Sequence, residues 1–250
     1  VSIVDFVTSN KGEIGRGLIL YPNFWGRSLL VSLADSIRPA QDLFFSTVET
    51  KLGKVLWMHG SHLLVRADVE AEICWDFGVT WGEDSQFGVK AVERGFRVSW
   101  LRGVLYEQSP FSLRDYFKQR RRWFFYTFSS LRGDLPLWTR LYYWVSVVGW
   151  LAGFPSFLIS LLNILIPSAN PFPYFGFVSV AILYNVIFWY LVGLKLNLDP
   201  LNLGSRKTVN LMLLGLVLLP MYAVLESLTA WYALLTWRKR HRVGFEVVKK

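Results

Sequence analysis

Two polar groupings interrupt an otherwise apolar chain: Gly82-Glu83-Asp84, and Gln119-Arg120-Arg121-Arg122-Trp123 some 35 residues later. Acidic residues at a helix start most often serve as caps. The chemical alternative is specific: a group transfer that inverts a sugar's anomeric carbon needs a carboxylate to take the acceptor hydroxyl proton during in-line attack. Asp84 fits that need, and a helix N-terminus is expected to help keep it ionised. Across Leu113 to Leu131, successive residues turn by about 100° on a helix, so Leu113, Phe117, Phe124, Phe128 and Leu131 fall in one stripe suited to a bilayer interface. Arg120 and Arg121 flank that stripe, where long stems snorkel towards phosphates, while Gln119, Arg122 and Trp123 project from other faces. The plain alternative is an interfacial helix with incidental polar residues.

Two further groupings bear on chemistry. In His59-Gly60-Ser61-His62 the small residues permit close approach of backbone to a ligand, or simply make a turn. Paired histidines suggest metal, but three-residue spacing on extended chain sends the rings to opposite faces and no third ligand is near, so no metal site is assigned. In Tyr106-Glu107-Gln108-Ser109-Pro110-Phe111, Pro110 fixes the approach to the amphipathic helix, and Glu107 either contacts substrate or pairs with the arginines.

The elements that must position these residues follow from periodicity. The runs 17–21, 55–57, 63–65 and 96–100 read as strands of an α/β layer, with helices over 24–37, 41–52 and 83–94; Pro39 supplies a break and Gly95 follows the last helix. Ser112 with Asp115 resembles a capping box for the helix that follows. Beyond residue 140, the stretches 141–166 and 172–194 hold no charged residue, and each can cross roughly 30 Å of hydrocarbon. The linker with Lys195, Arg206 and Lys207 places that side in the cytoplasm. The apolar stretch 208–237 contains Pro220 and Glu226 and ends in Arg238-Lys-Arg-His-Arg242. A single crossing puts that basic tail outside, whereas a return near Pro220 keeps it inside, and the return is the expectation. Glu226 reads equally as a functional intramembrane carboxylate or as a residue bonded to a neighbouring helix.

Composition agrees. Of 250 residues, 53% are hydrophobic and 17% aromatic, yet there are 27 Lys and Arg and a net charge of +9, a combination that points to a membrane. Basic residues cluster beside apolar spans rather than among exposed polar ones, so nucleic acid is not an expected partner. The single cysteine, Cys74, excludes an internal disulfide framework and a thiolate zinc cluster. With Val1 first and no signal-peptide pattern, the chain reads as a fragment.

Taken together, Glu83-Asp84, then Glu107 to Phe111, then Gln119 to Trp123, then apolar spans, resemble the second half of a family 2 glycosyltransferase, with its ED and QxxRW signatures. A narrower resemblance, over residues 5 to about 130, is to the egghead group of β-1,4-mannosyltransferases. It rests on Gly15-Arg-Gly-Leu-Ile-Leu-Tyr21, Leu33-Ala-Asp-Ser36, Gly60-Ser61, Gly82-Glu-Asp84 and Tyr106 to Phe111 leading into Gln119 to Trp123. The chain departs from that group at Phe124-Phe-Tyr126, where Leu-Gln-Gly is usual, and at Gly82, where Ala is usual.

The resemblance implies a partial GT-A (Rossmann-like) domain at 1–111, the amphipathic helix at 112–131, a transmembrane region at 141–237 and a basic tail at 238–250. It implies Asp84 as general base with Glu83 shaping the site, Gly60 and Ser61 lining an acceptor channel, and Gln119, Arg122 and Trp123 on the acceptor and diphosphate side, with Arg122 as the diphosphate clamp and Trp123 a face for a sugar ring. It implies Mg2+ or Mn2+ held by an Asp-x-Asp motif; none occurs here, so those ligands and activity are expected to need chain upstream of Val1. The expected protein is a multi-pass membrane enzyme with a cytoplasmic catalytic domain, moving mannose from GDP-mannose to a lipid-linked glycosyl acceptor. A processive synthase using a UDP-sugar and a non-catalytic membrane partner subunit are the rival readings.

Overall fold

The computed structural model describes residues 1–8, 12–22, 33, 35–77, 82–131, 135–166 and 173–238, the side chains of 163, 164 and 173–183 apart. Helix α1 (Ile3–Thr8) precedes strand β1 (Ile14–Leu20), helix α2 (Arg38–Leu52), a 3-10 turn at Gly60–His62 and strand β2 (Leu63–Val65). Helices α3 (Ala67–Ile73) and α4 (Glu83–Glu93), strand β3 (Val98–Tyr106) and helix α5 (Leu113–Ser130) complete the mixed region. Helices α6 (Leu137–Leu165), α7 (Pro173–Leu198) and α8 (Ser205–Leu235) form the apolar region.

The sheet has the order β2-β1-β3. β1 pairs antiparallel with β2, Ile14 opposite Val65, and parallel with β3, from Ile14 opposite Val98 to Leu20 opposite Tyr106, with an irregularity between Arg16 and Leu18. As the central strand it is buried along almost its whole length, its one charged residue, Arg16, being paired with Asp42 and Glu49. Ile14 joins Val55, Met58, Val69 and Phe87 in the core beneath it.

Local signals act much as expected at α4 and α5. Ser112 caps α5 by accepting from the Asp115 backbone N–H at 3.2 Å and donating to its carboxylate at 2.7 Å. Pro39 lies in the first turn of α2, where its missing N–H costs nothing, so it starts that helix rather than breaking it. Residues 55–57 are not a strand; the Val55 carbonyl accepts from the Thr139 hydroxyl at 3.1 Å, tying α6 to the mixed region. Most of the helix expected at 24–37 and nearly all of the basic tail lie outside the described residues.

Among the described residues two helices, α6 and α8, are long and apolar enough to cross a membrane. The return expected near Pro220 does not occur: α8 is one helix of 31 residues with Pro220 inside it. Pro220, half-buried, borders the cavity between the helices. The described end of α7 packs on the mixed region: the Asn197 side chain accepts from the Tyr21 backbone N–H at 2.8 Å, and Leu194 and Leu198 are buried beside Leu33.

The stripe on α5 also differs from expectation. Phe124 is 1% exposed and packs with Phe125 of the same helix, Val147 of α6 and Ala230 of α8, with Phe128 and Leu131 against them, while Leu113 is exposed. An apolar stripe is covered equally well by lipid or by helices, and here helices cover all but its start.

Candidate active site

Gly82, at φ 71°, turns the chain into α4 and leaves Asp84 in its first turn. The carboxylate is held by backbone alone: Oδ2 accepts from the Gly60 N–H at 2.8 Å and Oδ1 from the Ser85 N–H at 2.8 Å. Ser85 reinforces the join, its hydroxyl accepting from the Met58 N–H at 3.2 Å and donating to the Met58 carbonyl at 3.0 Å. No ion pair reaches Asp84 among the described residues. Burial is the largest influence on its carboxyl and raises its pKa; the two backbone N–H groups oppose that shift and neighbouring Glu83 adds to it. The helix start therefore only tempers the effect of burial, where it was expected to favour ionisation outright. Glu83 is exposed, as are Gly60 and Ser61 at the turn beside Asp84.

On α5 the buried cation is Arg120, which sequence periodicity placed beside the lipid. It is 3% exposed and donates to Asp35 Oδ1 at 2.8 Å, Glu226 Oε1 at 3.2 Å and Gln119 Oε1 at 2.6 Å. Gln119 is buried with it. Arg38 meets the same Asp35 oxygen at 3.5 Å. Both guanidinium groups stack on Trp123, at 3.4 Å for Arg38 and 4.2 Å for Arg120 from the ring centroid. Arg121 stacks on Tyr232 of α8, and Arg122 is half-buried on the same helix as Trp123. Burial acts to raise the Asp35 pKa, but Arg120 and Arg38 more than offset it, so its carboxyl is held below the usual range.

The charges continue away from Asp35. Arg38 meets His59 Nε2 at 3.3 Å, His59 meets Asp42 at 3.5 Å, and Arg16 of the central strand binds Asp42 at 3.3 Å and Glu49 at 2.7 Å. His62 turns elsewhere, to the Leu18 carbonyl at 3.2 Å. The rings separate as expected, though on a 3-10 turn rather than extended chain. Glu107, half-buried at the end of β3, accepts from the Tyr21 hydroxyl at 3.2 Å.

A cavity of about 480 Å³ lies between α6, α7, α8 and this network, within the size range of small-molecule sites. It is lined by polar groups of Arg38, His59, Trp57, Trp123 and Glu226 and by apolar side chains such as Phe157, Leu161 and Val186. Gly149, Gly153, Ser156 and Ser160, at helical spacing, give α6 a small-residue wall. His59 lines the cavity and the next residue, Gly60, donates to Asp84, so the carboxylate is tied to the cavity through that turn rather than lining it.

Of the residues singled out in the sequence, the structure brings Gln119 and Trp123 together with Asp35 and Arg38, which sequence reasoning did not name as site residues. Their signal was two charged residues at 35 and 38 beside the break at Pro39, which carried no partner in the linear chain. Among the described residues no three His, Cys, Asp or Glu side chains group to hold a metal ion. The nearby buried carboxylates of Asp35, Asp42 and Glu49 are committed to guanidinium groups, so the described residues do not fit Mg2+ or Mn2+.

A family model described as glycosyl transferase family group 2 matches residues 2–193. Among curated proteins, the one named beta-1,4-mannosyltransferase egh, from Drosophila melanogaster, is 28% identical over 256 residues, covering 99% of this chain and 54% of that protein. Two proteins named beta-1,4-mannosyltransferase bre-3, from Caenorhabditis briggsae and Caenorhabditis elegans, are each 30% identical over 125 residues, covering 48% of this chain and 28% of each protein. The chain spans about half the length of the Drosophila relative.

Proposed function

The chain belongs to glycosyl transferase family group 2, and from that membership we propose that it supplies the base and acceptor side of a membrane-bound inverting glycosyltransferase. The observation that carries the reading is the setting of Asp84: a carboxylate with no cationic partner among the described residues, held by two backbone N–H groups, one of them from Gly60, the neighbour of cavity-lining His59.

Asp84 takes the acceptor hydroxyl proton while that oxygen attacks the anomeric carbon from the face opposite the departing nucleotide diphosphate, which inverts the centre. Its raised pKa makes it a stronger proton acceptor than an ordinary surface carboxylate. Glu83 contributes negative charge at its side, and Gly60 and Ser61 border the path of the acceptor. Trp123, with Arg38 and Arg120 on its ring, lines the cavity; Gln119 holds Arg120, and Arg122 serves the diphosphate side. No step is drawn through a metal.

The donor is GDP-mannose and the acceptor a lipid-linked glycosyl group, on the cytoplasmic face of the membrane. The donor assignment is supported by the mannosyltransferase names of the relatives, and by likeness to the Drosophila protein through the apolar helices as well as the signature motifs. The acceptor assignment is supported by a cavity lined both by Arg38, His59 and Glu226 and by apolar side chains of α6, α7 and α8. Membranes containing the intact protein are incubated with labelled GDP-mannose or UDP-sugars: a lipid-extractable product of single-sugar size from GDP-mannose is expected. Product from a UDP-sugar alone, or a polymer, contradicts the donor and acceptor assigned.

A further inference from the structure

We propose that Tyr126 is a positioning residue for the base, acting through Gly82 to set the first turn of α4 and with it the direction of the Asp84 carboxylate. The proposal rests on Asp84 being the base, as argued above.

Gly82 stands at the N-cap of α4 with no side-chain cap hydrogen bond, so the usual Ser, Thr, Asn or Asp device for fixing a helix start is not in use. Its left-handed φ would strain any side chain, and a Cβ placed there would overlap the Tyr126 ring. The ring has little freedom to yield. It is 2% exposed, lies 5.6 Å from the Trp57 ring at 74°, and its hydroxyl is 3.0 Å from that of Tyr143 on α6. Ser130 and Ser85 lie against its hydroxyl and act to favour its ionised form, and Ser85 follows Asp84 directly. Burial pushes the phenol pKa up to about 12, so this hydroxyl stays protonated at neutral pH.

The first turn of α4 is therefore tied on two sides. Asp84 and Ser85 bind the 58–60 segment, while Tyr126 presses on Gly82 from α5, three residues after Trp123, and reaches the wall of α6 through Tyr143. Base, Trp123 face and cavity wall are held in one geometry. A base works only within about 2.6–3.2 Å of the oxygen whose proton it removes, so a small rotation of this turn is costly to turnover.

The test is a cycle of Gly82→Ala, Tyr126→Ala and the double variant in the intact protein in membranes, with Tyr126→Phe as the conservative control. Each single alanine is expected to lower kcat about tenfold with KM little changed, and the double to be no worse than the poorer single, because removing the ring makes room for the new methyl. Tyr126→Phe keeps the ring and stays within about threefold of the parent. In Tyr126→Ala the acid limb of the pH profile moves to lower pH as water reaches Asp84. If Tyr126→Ala does not accumulate, Tyr126→Leu replaces it in the cycle. Losses that multiply to about a hundredfold, or an acid limb that stays in place, overturn the proposal. Asp84→Asn in the same preparations separates the two ideas: full turnover there removes the base itself, whereas a dead Asp84→Asn with multiplying losses removes only the role of Tyr126.

Discussion

Asp35, bound to the two arginines that stack on Trp123, and Asp84, bound to the Gly60 turn, are carboxylates whose surroundings push them in opposite directions. Asp35 is buried between Arg120 and Arg38 and is held ionised well into acid. Asp84 accepts only neutral backbone N–H groups, and burial raises its pKa. Burial alone therefore does not decide the role of a carboxylate; the charge of its partner does. Paired with cations, it is a fixed anion that orders the arginines around it. Held by dipoles, it keeps its direction and can still take a proton.

The same Asp→Asn exchange should break different things at the two positions. At Asp35 it leaves Arg120 and Arg38 buried with an incomplete counter-charge, a defect of about 3–5 kcal/mol, seen as loss of folded protein in detergent and a lower unfolding temperature. At Asp84 it removes a charge that burial disfavours, so the protein should unfold no earlier than the parent. Equal stability of the two variants would erase the distinction.

Acid should separate the regions next. The folded pKa of Asp84 is raised, so its base function fades as pH falls through that value, while protonation there relieves rather than weakens the fold. The folded pKa of Asp35 is lowered, so its contribution to stability is present above the usual carboxylate range and is lost only as pH falls further. Measured together, kcat/KM should decline at a higher pH than thermal stability does; coincident declines would contradict the assignment.

A smaller effect concerns the cavity that adjoins both regions. A Cβ at Gly149 meets nothing within 4 Å, so Gly149→Leu adds bulk to the cavity without a clash. Transfer to a long-chain acceptor should fall about tenfold and transfer to a short-chain, water-soluble glycoside should change little, since each excluded CH2 is worth roughly 0.8 kcal/mol. Equal losses on both acceptors would place the lipid elsewhere. The smallest change belongs to Glu226→Gln, where Arg120 retains Asp35 and a neutral acceptor replaces one anion. Activity within about threefold is expected, and a total loss would give Glu226 a direct part in the chemistry.

How much of this could be read in advance depended on distance along the chain. The α4 and α5 helices were legible because caps and breakers are local: Gly82 and Gly95 bracket one, and Ser112 with Asp115 opens the other. Asp84 followed from its place at such a start. The role of Arg120 did not, because its partners Asp35 and Glu226 lie 85 and 106 positions away and an apolar stripe looks the same under lipid as under α6 and α8. Pro220 was misread as a turning point because the cavity it borders is a tertiary fact. The departures at Gly82 and at Phe124 to Tyr126 looked unrelated in sequence; in space the missing Cβ of one makes room for the ring of the other.

The most direct test of the base assignment is transfer by Asp84→Asn in the intact protein, measured beside donor binding in the same membranes. A turnover reduced by roughly 10²–10⁴-fold with nucleotide-sugar binding retained is the predicted result. Undiminished turnover would contradict it.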